Sequence, residues 1–70
     1  MRYKIIAEDD ESYQHVVRYL GTHQPGHVKV RLPDRRVLSA ENLTVRTIDA
    51  LKKIGARVSE EFQYSIDRNG

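Results

Sequence analysis

Three groups of side chains in this 70-residue sequence are of types that do chemistry. The first is the acidic run Glu8-Asp9-Asp10-Glu11. Carboxylates at such density hold a divalent cation when they converge on one point. Consecutive residues at a strand-to-helix junction do not converge, because neighbours leave the backbone in different directions. Standing just before an apolar-periodic stretch, the run reads instead as a helix cap, with further negative charge beside the positive end of the helix dipole.

The second group is His15, His23 and His27. A separation of four residues aligns two imidazoles on a helix for a shared metal, but Pro25 and Gly26 interrupt any helix between His23 and His27. His15 falls on the polar side of the first expected helix. Solvated histidines are the expectation, with no metal site. The third group is cationic. Lys29, Arg31, Arg35 and Arg36 follow one another along a strand and its turn, while Arg46, Lys52, Lys53 and Arg57 lie on or just after a second helix. Either cluster has the charge to contact phosphate.

Other chemistries lack their residues. With zero cysteines there is no disulfide, no thiolate nucleophile and no zinc-thiolate site. No serine stands in a Gly-x-Ser-x-Gly elbow, and glycines at 21, 26, 55 and 70 make no phosphate loop. The expectation is therefore a non-enzymatic chain with no catalytic residue, no metal and no cofactor.

The elements that position these groups follow from periodicity. Tyr3, Ile5 and Ala7 alternate with Lys4, Ile6 and Glu8, the pattern of a strand. Asp9 or Asp10 caps a helix near 10–20, whose stripe is Tyr13, Val16, Val17 and Leu20, with Gly21 as its expected stop. Val28, Val30 and Leu32 alternate with Lys29 and Arg31 in a strand near 27–32. Pro33-Asp34-Arg35-Arg36 has turn chemistry, and a third strand returns near 36–40. Thr44 caps a helix over 44–54 carrying Val45, Ile48, Leu51 and Ile54, with Gly55 ending it; Ser39-Ala40-Glu41-Asn42 offers an earlier start. A last strand is expected near 58–67, with Val58, Glu60, Phe62, Tyr64 and Ile66 on one parity.

The two halves of the chain match in role at an offset of 34. Asp10 corresponds to Thr44, Val16, Val17 and Leu20 to Ala50, Leu51 and Ile54, Gly21 to Gly55, and Val28, Val30 and Leu32 to Phe62, Tyr64 and Ile66. A repeated helix-then-strand unit of this size points to a ferredoxin-like α+β fold, βαββαβ. Such a fold has a four-stranded antiparallel sheet whose first and third strands are central, and two helices on one face. The helix-facing set is then Tyr3, Ile5, Ala7, Val28, Val30, Leu32, Leu38, Ala40, Phe62, Tyr64 and Ile66. The other face carries Lys4, Ile6, Glu8, Lys29, Arg31, Val37, Ser39, Glu61, Gln63 and Ser65.

At 39% hydrophobic and 31% charged, the composition is that of one globular domain over 1–70. Cores of this size rarely supply more than about 3–5 kcal/mol of net stability, so a partner or a second copy is a reasonable source of further burial. Net charge is +2, unevenly spread: 18–57 holds nine Lys and Arg against three acids, while 8–11 holds four acids. The first residues are too briefly apolar for a signal segment or a membrane span, so no membrane contact and a cytoplasmic location are expected.

The leading expectation is a binding or regulatory module that engages a protein, or a copy of itself, through an exposed sheet face or edge, with Ile6 and Val37 as the face residues. A nucleic-acid role for Lys29, Arg31, Arg35, Arg36, Lys52 and Lys53 is the alternative, and a small-ligand sensor at a dimer interface is a third. RNA-recognition motifs stack bases on aromatic residues of the central strands. Here Tyr3 shares the core parity, and the third strand has no aromatic residue.

Overall fold

The first strand, β1 (Arg2–Ala7), is the axis of the sheet, pairing antiparallel on one side with β3 (Val37–Glu41) and on the other with β4 (Ala56–Glu61). The computed structural model describes residues 1–61. Between the strands lie α1 (Asp10–His23), β2 (Val28–Leu32), a 3-10 turn at Pro33–Arg35 and α2 (Val45–Ile54). The strand order is β2-β3-β1-β4, with every neighbouring pair antiparallel. Among the described residues, two helices and a four-stranded antiparallel sheet make the fold α+β.

Both helices begin on side-chain caps. Asp9 accepts a hydrogen bond from the Ser12 amide at 2.8 Å, and Thr44 accepts one from the Thr47 amide at 3.2 Å. Asp10 and Glu11 then fill the first turn of α1 beside its positive end. The later start of α2 is the one taken, because Ser39, Ala40 and Glu41 are committed to β3.

The halves end differently, and here the expected repeat fails. Gly55 does stop α2, with φ at 111° in the left-handed region. Gly21 does not stop α1. It is an exposed residue inside the helix, which continues through His23 to a cap at Gln24. The reason is a polar latch: buried Gln24 donates through Nε2 to the Asn42 carbonyl at 3.2 Å and accepts from the Thr44 amide at 3.0 Å. Those bonds tie the end of α1 to the β3–α2 loop. β4 also starts earlier than expected, directly after Gly55, since Ala56 opposes Ala7. The expected strand positions Phe62, Tyr64 and Ile66 lie outside the described residues.

The core sits between the helices and one face of the sheet. Ile5, Val16, Leu20, Leu38, Ala40 and Leu51 are sealed at 0–1% exposure, with Tyr13 beside them. Burying each large side chain contributes roughly 1.5–3 kcal/mol. Ile54, expected to match Leu20, is only half-buried, and Val45 at the open start of α2 is exposed. Thr47 and Leu43 take the deep positions instead. Leu43 immediately precedes the cap and is part of the core cluster.

Candidate functional site

The sheet has a second face, and its composition depends on one irregularity in β2. Val28 opposes Ala40, but Val30 opposes Ser39, leaving Lys29 as the extra residue of a β-bulge. One inserted residue reverses the parity of all that follows. Val30 and Leu32 therefore join Ser39 and Val37 on the face away from the helices, while Arg31 opposes the buried Leu38. This overturns the expectation that Val30 and Leu32 face the helices and that Arg31 lies on the open face. Lys29 turns back to donate to the Gly26 carbonyl at 3.2 Å.

Three rows then cross the open face. The first runs Leu32, Val37, Ile6 and Arg57 across all four strands; the second runs Val30, Ser39, Lys4 and Ser59. The third is Glu41, Arg2 and Glu61. Ile6 is 37% exposed and Val30 and Leu32 are each 43% exposed, with Val37 half-buried among them. The expected pair Ile6 and Val37 is thus brought together as strand neighbours. Val30 and Leu32, which sequence periodicity assigned to the core, complete an aliphatic quartet. In the charged row Arg2 Nη2 donates to Glu41 Oε2 at 3.1 Å while its buried Nε has no partner among the described residues, and the Ser39 hydroxyl of the second row donates to Glu61 Oε1 at 3.0 Å. Lys4 and Arg57, both exposed, flank the quartet, and among the described residues neither has an ion-pair partner within 4.0 Å.

The cations of the alternative reading are not assembled into one surface. Lys29, Arg31 and Arg35 are exposed along β2 and its turn, on one edge of the sheet. Lys52 and Lys53 are in the last turn of α2, which packs over β4 at the opposite edge. The β1–α1 junction carries Glu8 and Asp9 in its loop and Asp10 at the start of α1. Arg36 is drawn to that junction, its Nη1 lying 3.3 Å from Asp10 Oδ1, and it holds the left-handed φ of 56° that closes the hairpin. Asp9 is held below the ordinary aspartate value, chiefly by the Ser12 backbone hydrogen bond, then by the Ser12 side chain, with Arg36 and His15 adding.

The histidines do not meet. His15 is exposed on α1, and His23 stacks on Tyr19 with ring centres 4.1 Å apart. His27 donates from Nδ1 to the Glu41 carbonyl at 2.7 Å. Among the described residues no three His, Cys, Asp or Glu side chains are grouped to hold a metal ion. Clefts are shallow. One of about 370 Å³ between α2 and β4 is lined by Tyr3, Val45, Ile48 and Val58 with Asp49, Lys52 and Glu60, and one of about 240 Å³ lies by Ile6, Glu8, Gly55 and Arg57. No helix among the described residues is long and apolar enough to cross a membrane.

No family model matches the chain, and neither a curated protein nor a solved structure matches it. The functional reading rests on the chain's own geometry.

Proposed function

We propose that this chain is a non-catalytic binding module, built on a ferredoxin-like split βαβ scaffold, that engages a protein through its open sheet face. The order β2-β3-β1-β4 supports the scaffold reading, since it interleaves β3 between β2 and β1 and β1 between β3 and β4. The observation that carries the function is the quartet Ile6, Val30, Leu32 and Val37. Four aliphatic side chains stand contiguous and partly exposed on one face, two of them, Val30 and Leu32, turned there by the bulge in β2. A small domain gains more from covering such a patch than it does from leaving it wet.

A nucleic-acid role finds less support. The quartet is aliphatic and offers no stacking platform, and the cations of that reading are divided between β2 at one edge and α2 over the other. The test sets capture against oligonucleotide binding. After nuclease treatment, wild type should retain a protein partner from native lysate. Leu32→Asp should lose it, while Lys52→Glu combined with Lys53→Glu, in the last turn of α2 and away from β2, should leave it in place. Micromolar oligonucleotide binding at ~150 mM salt, abolished by the double reversal and untouched by Leu32→Asp, would instead assign the surface to phosphate.

A further inference from the structure

We infer that the partner docks as a strand added to the free edge of β2, and that it is an extended segment alternating apolar side chains with carboxylates. This inference rests on the open-face reading and makes it specific. Among the described residues β2 is an edge strand, so alternate backbone N–H and C=O groups along its outer side have no described strand beside them. Its residues from Lys29 to Leu32 are exposed. After the bulge the strand is regular: Val30 and Leu32 point to the open face and Arg31 to the other.

A strand laid alongside, about 4.8 Å away, would itself alternate with a period of two. Its side chains on the open face would meet Val30 and Leu32 and extend the aliphatic row that continues through Val37 and Ile6. Its side chains on the opposite parity would meet Arg31. The partner's chemistry follows from this pattern: apolar residues on one parity and carboxylates on the other. The edge carries Lys29, Arg31 and Arg35 against Asp34 alone, so its net charge selects for an acidic segment.

The same features exclude the simplest competitor. Two copies of the chain joined edge to edge through β2 would bring Lys29 and Arg31 of one against those of the other, and like charges across a strand pair are destabilising. A bulge with a lysine at its tip also blunts an edge against indiscriminate pairing. What remains is an edge closed to most strands and open to an acidic one. Its regular stretch is short, so binding should be weak, reversible and salt-sensitive.

The probe is a fluorescein-labelled eight-residue peptide alternating glutamate with isoleucine, followed by anisotropy and by amide shifts of the labelled domain. Wild type should bind it with a Kd on the order of 10–100 µM, and the shifts should concentrate on Val28 to Leu32. A peptide alternating lysine with isoleucine should bind at least ~10-fold more weakly, as should Arg31→Glu with the acidic peptide. Arg31→Gln, which removes the charge without reversing it, should fall between and show that folding is intact. Equal affinity for the two peptides would overturn the inference. So would shifts confined to Ile6 and Val37 with β2 unmoved; if Leu32→Asp still abolished capture in that case, the open-face reading would stand and only the edge strand would fall.

Discussion

The first and second halves of this chain are built on one plan and finished in two ways. In the second half, α2 ends on Gly55 and the chain enters β4 with no intervening loop, pairing regularly with β1 from Ala56 onward. In the first half, α1 overruns its glycine by two residues, a polar latch at Gln24 takes over, and a loop leads into a β2 that is bulged at its start. The regular ending keeps Val58 packed against the core. The irregular one puts Val30 and Leu32 in water. A fold of this size can build its core with one helix–strand unit closed tightly while the other presents apolar side chains outward.

The largest effect expected is in the part common to both halves. Leu20 and Leu51 are each fully buried, so truncating either to Ala should lower unfolding free energy by about 2–5 kcal/mol, read as a denaturation midpoint. Half-buried Ile54 should cost clearly less than Leu20. Equality between them would restore the symmetry that the structure breaks.

The glycines give the sharpest contrast. Gly55→Ala places a side chain at a φ of 111° and should destabilise by at least about 1 kcal/mol. Gly21→Ala adds a methyl to an exposed helix interior with nothing within 4 Å of it, and should stabilise by roughly 0.5–1 kcal/mol. Changes of the same sign would show that both helices stop on their glycines.

Smaller still is the stability effect expected on β2. Leu32→Ser should shift the midpoint by less than about 1 kcal/mol, because the residue is 43% exposed and outside the core. A loss comparable to that of Leu38→Ala would mean the strand is regular and Leu32 faces the helices.

The least effect concerns the cap of α1. Folding depresses the Asp9 pKa through the Ser12 hydrogen bonds, so its contribution is complete above the ordinary aspartate value of 3.8 and fades as pH falls below it. Asp9→Asn keeps an acceptor at the cap. Stability at neutral pH should change little, and the acid-side slope of the denaturation midpoint should become shallower. An unaltered slope would place the acid sensitivity elsewhere.

Ile6 and Val37 were legible as open-face strand residues because Ile6 sits between buried Ile5 and Ala7 and Val37 directly precedes buried Leu38, and alternation sends each to the other face. Val30 and Leu32 were not, since alternation in β2 is equally regular whether or not Lys29 bulges. The split of the cationic groups was likewise invisible, because the Arg36–Asp10 contact joins residues 26 apart.

Local physics, carried by side-chain type and spacing, determined a cap at Asp9 or Asp10 and another at Thr44, the stripe of Tyr13, Val16 and Leu20, and the stop at Gly55. Each of those depends on residues a few positions apart. Pro25 limits how far α1 can run, but tertiary structure decided that it runs past Gly21 to that limit, because Gln24 must find Asn42 and Thr44 across 18 and 20 residues. It also decided which face β2 presents, because the parity of an edge strand is fixed by its register against a neighbour, and register is a property of two strands together.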